Sequence, residues 1–292
     1  MGTVTSKDGT TIGFRQLGHG PGVIILHGGS LASQHYLKLA AALADQFTVY
    51  LPDRRGRGMS GPYGPDYSIE REDEDLDAIV NATGAQRVFG VADGGLFALH
   101  GAITIPAIRK VAVFEPVVFV GQPGLDEFKR IIERGKRMVA SGDVGAAMSS
   151  LAQDAADSDP RAQALSAPYR LLQRIMVKPG ICRAWLWADA RTARGDDAPL
   201  RDLIVAWKDE MDVVIASEGT IGDYAGVTAE VLLLCGIGAP TLFTGTLDAL
   251  QEVLPRATRV EVPGLNHGGP QDQGGNPAAI AAQLRQFFAG DA

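Results

Sequence analysis

The 292-residue sequence has only two cysteines, Cys182 and Cys235, far apart along the chain. Two thiols are too few for a disulfide scaffold, although one bridge stays open. No stretch approaches the roughly 20 consecutive apolar residues of a membrane span. The N-terminal residues Met1-Gly2-Thr3-Val4-Thr5-Ser6-Lys7 have no apolar core and do not read as a secretory signal. Positive charge is scarce: 27 Lys and Arg stand against 34 Asp and Glu, a formal net charge of -7. Nucleic acid and anionic membranes need a basic patch, so neither is expected as the main partner. Basic runs are short, as in Arg54, Arg55 and Arg57. There are no repeats and no Cys, His and carboxylate cluster with metal-ligand spacing, so no metal or organic cofactor is expected. What remains is a soluble, cytoplasmic protein with a small-molecule partner, and a homodimer is left open.

Hydrophobic residues make up 46% of the chain and charged ones 21%, which suits a globular protein with one large core. Short apolar runs alternate with helical patterns. Thr11–Phe14, Val23–Leu26, Phe47–Leu51, Arg87–Val91 and Lys110–Phe114 read as strands. Most are continuous apolar runs, the mark of strands buried on both faces. Helical patterns cover 33–45, 69–82 and 94–103. This alternation predicts a mostly parallel α/β sheet. After Glu115 the rhythm breaks. Helical signals dominate at 124–139, 143–156, 160–175, 181–192 and 199–217. The βα rhythm resumes at Val231–Cys235, with a helix near 247–254, a strand at Arg259–Val262 and a final helix at 277–289. Residues 1–119 and 228–292 therefore read as one core, interrupted by a helical insertion at 120–227.

Three glycine-rich turns follow predicted strands. Leu26-His27-Gly28-Gly29-Ser30 can turn backbone N–H groups toward a developing oxyanion; the plainer reading is a strand-ending turn. Gly56, Gly58 and Gly61 formally match a dinucleotide-binding spacing. Pro62, Gly64 and Pro65 follow, so no helix opens there to hold a pyrophosphate, and the cofactor reading fails. Gly90-Val91-Ala92-Asp93-Gly94-Gly95 has the small flanking residues of a strained strand-to-helix elbow, with Ala92 where a nucleophilic serine would stand. Its plainer reading is a tight βα turn. A frame shifted to Asp93 as nucleophile places bulky Val91 at a crowded position and fits poorly. Near the end, Pro263-Gly264-Leu265-Asn266-His267 offers a histidine in a loop after the last strand, where a general base could work; a surface histidine is the plainer reading. His19, His27, His35 and His100 fit that role less well.

Taken together, these motifs resemble the α/β-hydrolase superfamily. The resemblance rests on the order His27-Gly28-Gly29, Arg55 to Ser60, the elbow, the helical insertion and Gly264 to His267. It spans nearly the whole chain except the insertion, which resembles the superfamily's cap. The resemblance implies a catalytic triad of nucleophile position Ala92, acid Glu115 and base His267. The usual acid position after Val231–Cys235 reads Gly236-Ile237-Gly238-Ala239-Pro240 and has no carboxylate. Glu115, at the end of the strand after the elbow helix, is similar in placement to the acid of zearalenone-type lactonases. Gly28, Gly29 and the Asp93 backbone would form the oxyanion hole. The implied activity is cleavage of an ester or lactone of a medium-sized apolar substrate.

Alanine at position 92 departs from that pattern, because a methyl group cannot attack a carbonyl. Either alanine stands in place of a serine and the chain is an inactive form, or the protein does other chemistry. The first is the expectation, since folding alone does not require the remaining motifs together. The alternatives are a non-hydrolytic small-molecule binding protein and a serine-independent lyase. Tyr169, Trp185 and Trp187 are the expected substrate-binding residues of the insertion. Phe128, Met138, Met148, Met176, Trp207 and Met211 are further apolar residues there, although packing within the insertion is the plainer role.

Overall fold

The computed structural model of the chain describes residues 1–290. Eight strands form one sheet. They are β1 (Gly2–Thr5), β2 (Thr11–Gly18), β3 (Gly22–Leu26), β4 (Thr48–Pro52), β5 (Arg87–Val91), β6 (Lys110–Phe114), β7 (Glu230–Gly236) and β8 (Ala257–Val262). Their order across the sheet is β1-β2-β4-β3-β5-β6-β7-β8. β2 runs antiparallel to both β1 and β4, and the other pairs are parallel. The buried apolar runs explain the parallel part: β5 and β6 are buried at every position. β1 was not expected from the sequence. It is short and polar, and gains its ladder only by pairing with β2.

Helices fill the crossovers: α1 (Leu37–Leu43), α2 (Ile69–Thr83), α3 (Asp93–Thr104), α10 (Thr241–Val253) and α11 (Pro277–Phe288). Between β6 and β7 the chain forms α4 (Leu125–Ala140), α5 (Val144–Ser158), α6 (Pro160–Gln163), α7 (Ala167–Met176), α8 (Pro179–Thr192) and α9 (Leu200–Ala216). The single helix expected at 160–175 is two, because the chain is extended at Ser166 and Pro168 follows. α10 starts earlier than expected. Gly245 and three threonines hide its helical pattern, while Pro240 sets the start.

The main core is continuous through the sheet and its flanking helices, and includes Ile24, Phe89, Phe97, Phe114 and Phe288. Each such side chain contributes about 1.5–3 kcal/mol through burial. Val139, Val144, Ala147, Leu186 and Ile204 form a separate cluster within the inserted helices.

Register positions the functional residues. Val91 pairs with Phe114, and Phe114 with Leu234. Residues 92 and 115 therefore leave adjacent strands at the same edge, level with Cys235 of β7, where crossovers of a parallel sheet leave a crevice.

Candidate active site

The elbow is built by close approach. A Cβ at Gly94 would lie 2.5 Å from the carbonyl oxygens of both Leu26 and His27, so only glycine lets α3 sit against β3. Ala92 then occupies φ 52° and ψ -121°, a region L-residues rarely adopt. Backbone bonds hold it there: Ala92 N–H donates to Phe114 O, and Ala92 O accepts from Gly95 and Val117 N–H. Glu115 is also at positive φ, 42°. Two consecutive crossovers thus hold strained residues side by side.

Glu115 is fully buried. Its Oε2 accepts from His267 Nδ1 at 2.8 Å, and its Oε1 accepts from Gly236 N–H at 3.1 Å. With Nδ1–H donated to the carboxylate, His267 Nε2 is left with its lone pair free. Phe243, from α10, stacks on the imidazole with ring centroids 4.5 Å apart and planes 8° apart. From the insertion, Arg161 donates to Leu265 O at 2.5 Å and sets Nη1 3.6 Å from Glu115 Oε1. Glu115 and His267, expected from the sequence, are brought together. Phe243 and Arg161 were not expected, because only tertiary structure brings them here.

The glycine turn is more occupied than expected. Gly29 N–H donates to the Asp93 side chain at Oδ1. Gly28 N–H reaches the Tyr36 hydroxyl at 3.4 Å. Both amides assigned to an oxyanion hole therefore have internal partners, and Asp93 contributes its carboxyl there as well as its backbone. His27 is a structural residue. Its Nδ1 donates to Gly28 O and its Nε2 accepts from Arg54 N–H. Burial pushes it well below the ordinary histidine range and so keeps it neutral.

Beneath this turn lies a buried charge network. Arg54 makes a bidentate pair with Glu72 at 3.0 and 3.1 Å. Arg54 and Arg57 both pair with Glu210 of α9. Glu210 and Asp93 carboxyls face each other. Burial opposes ionisation of Glu210, but Arg54 and Arg57 outweigh it and hold the carboxyl down at about 2. Burial and then the Glu210 charge push Asp93 up to about 8. At neutral pH Asp93 is a carboxylic acid beside a carboxylate. The signal for this network lies in α9, where Glu210 interrupts the apolar stripe of Leu203, Trp207, Met211 and Val214.

Trp207 is the insertion's aromatic at the glycine turn: its Cδ1 lies 2.7 Å from where a Cβ at Gly29 would stand. Tyr169, Trp185 and Trp187 are each more than half exposed on α7 and α8. Met211 is buried, and Phe128 and Met138 pack as partly buried residues of the two clusters.

A model described as the alpha/beta hydrolase family matches residues 23–283. The chain belongs to that family. A hydrolase of this family from Sphaerobacter thermophilus DSM 20745 is 26% identical, with a TM-score of 0.69, covering 98% of this chain and 100% of that one. An enol-lactonase from Burkholderia xenovorans LB400 shares the fold at 16% identity and a TM-score of 0.69, covering 99% and 100% of the two chains. A pimeloyl-[acyl-carrier protein] methyl ester esterase from Stenotrophomonas maltophilia strain R551-3 is 38% identical over 96 residues. That match spans 33% of this chain and 36% of the esterase, so about a third of each. Among the described residues, no helix is long and apolar enough to cross a membrane.

Proposed function

We propose that the molecule carries the site of an ester- or lactone-cleaving serine hydrolase without its nucleophile. The observation that supports this most is the His267 Nδ1 to Glu115 Oε2 bond of 2.8 Å beside the strained elbow at Ala92. In a form with serine at 92, the hydroxyl attacks the carbonyl and His267 Nε2 takes its proton. The histidine later passes that proton to the leaving alcohol. Glu115 fixes the imidazole tautomer and stabilises its charged form. The Asp93 backbone N–H, with Gly29 N–H once it is released, receives the oxyanion. The inserted helices serve as a cap over the site. Trp207 and Phe243 give the site apolar walls, which favours a medium-sized apolar ester or lactone. Relatives named as an esterase and an enol-lactonase support the reaction class. Two free buried thiols suit a reducing compartment, the cytoplasm.

The experiment treats the chain and its Ala92→Ser variant with a fluorophosphonate probe. Labelling of the serine variant alone, lost when His267→Ala is added, is the expected result. A folded Ala92→Ser/Asp93→Leu variant that stays unlabelled would sink the proposal. Asp93 should matter in that series. Its carboxyl occupies Gly29 N–H, and loss of one oxyanion donor costs about 100- to 1,000-fold in rate.

The same Asp93 contact favours one second reading, in which His267 and Glu115 move protons without a serine. That reading expects turnover by the Ala92 chain itself, abolished in His267→Ala.

A further inference from the structure

The chain's net negative charge hides a local surface of opposite sign. From α6 through α8 the sequence carries six Arg and Lys and a single acid, Asp189. Arg161 pairs with Asp159 at 2.9 Å, just before α6, and turns inward to Glu115 at 3.6 Å. Arg170 and Arg174 of α7, Lys178 just before α8, and Arg183 and Arg191 of α8 remain; Arg170 also donates to Gln163 O at 2.9 Å. Arg174 reaches Asp157 only at 3.7 Å, and both side chains are largely exposed. Arg183 pairs with Asp143 at the surface.

The same helices expose apolar surface. α7 has no buried residue at all. Tyr169, Leu171, Leu172 and Met176 of α7 are each more than half exposed, as are Trp185 and Trp187 on either side of the buried Leu186 in α8. An open groove of about 750 Å³, lined by Gln153, Ala156, Arg170, Leu171 and Arg174, separates α7 from α5. Within α7 the apolar residues at 168, 169, 171, 172, 175 and 176 share one broad side. Arg170 and Arg174 take the other, and the helix has no acid. Arg191 lies over the Trp187 ring, 3.6 Å from its centroid, so cation and aromatic are presented together.

From this combination we infer that α7 and α8 dock on an anionic lipid surface. An interfacial helix places Trp, Tyr, Leu and Met at the headgroup boundary and keeps Arg and Lys among the anionic headgroups. The acidic remainder of the molecule is repelled by the same surface, so the charge asymmetry also orients the protein. A bilayer is deformable and accepts scattered exposed apolar side chains, whereas a folded partner needs a matching surface. The expectation of no membrane partner rested on total charge, and total charge does not report how the fold distributes it.

The test uses the full chain in vesicle flotation. Vesicles of phosphatidylcholine alone are compared with vesicles that also contain phosphatidylglycerol. The expected result is flotation with the anionic vesicles only, a blue shift of tryptophan emission on binding, and weakening by salt. Leu172→Asp/Met176→Asp should reduce binding about tenfold or more with the circular dichroism unchanged. Arg170→Glu/Arg174→Glu should do the same, through charge rather than apolar area. Absence of flotation, or equal flotation with neutral vesicles, overturns the inference. So does a concentration-dependent dimer in sedimentation that Leu172→Asp/Met176→Asp abolishes, which would assign the face to a second copy of the chain.

Discussion

Ala92 holds a conformation in which a β-carbon costs about 1–3 kcal/mol. Its methyl group is nearly buried but small. Replacing it by glycine removes the strain and little packing. Ala92→Gly is therefore expected to raise stability by about 1 kcal/mol, read as a higher urea midpoint at unchanged m-value. Asp93 is the second informative residue. Its folded carboxyl titrates near 8, above the unfolded value of about 4. The folded state thus binds the extra proton. The associated stability is fully present below about pH 4, falls as pH rises, and is lost above about pH 8. Asn at this position mimics the protonated acid toward both Gly29 N–H and Glu210. Asp93→Asn should leave the melting temperature nearly unchanged in acid and raise it in mild alkali. Parallel melting curves for the two proteins across that range would contradict the assignment.

At the scale of elements, α9 is tied to the core by Glu210. Arg54 retains Glu72 if Glu210 loses its charge, but Arg57 does not, and its Nε and Nη1 already lack partners. Glu210→Gln is expected to destabilise the fold by about 3–5 kcal/mol, measured by urea unfolding. A change below about 1 kcal/mol would mean the network is not closed as described. Most elements could be read from the sequence because buried parallel strands announce themselves as apolar runs. Glu115 and His267 could be read because one directly follows β6 and the other lies in the loop after β8, in a recognisable order. What could not be read depends on contacts across the sheet or from the insertion. The Asp93 side chain faces Gly29 only because α3 lies against β3. Arg161 reaches Glu115 from 46 positions downstream in the sequence. The inward turn of Arg54, Arg55 and Arg57 was equally hidden, since Glu72 and Asp75 of α2 meet the first two, and Glu210 of α9 meets Arg57, only after folding.

The whole molecule is unevenly secured. β5 and β6 lie at the centre of the sheet and are wholly buried, whereas α7 has no buried residue and stands apart from α5. Native-state hydrogen exchange should show α7 amides exchanging at least about 100-fold faster than those of β5. Equal protection would show that α7 is packed as tightly as the sheet. The inserted helices are divided in the same way: Ile132 of α4 and Trp207 and Met211 of α9 belong to the main core, whereas Val139, Val144, Ala147, Leu186 and Ile204 form a cluster of their own.

The bonds that hold Glu115, His267 and Asp93 all end on backbone groups or on side chains other than that of residue 92. The elbow itself is held by main-chain bonds and by the glycines beside it. Alanine and serine carry the same β-carbon strain there, so none of these bonds distinguishes one from the other at position 92. On the proposed reading, selection on stability neither preserves a nucleophile there nor penalises its loss. The identity of that single residue would then record demand for the reaction, while the architecture around it records ancestry.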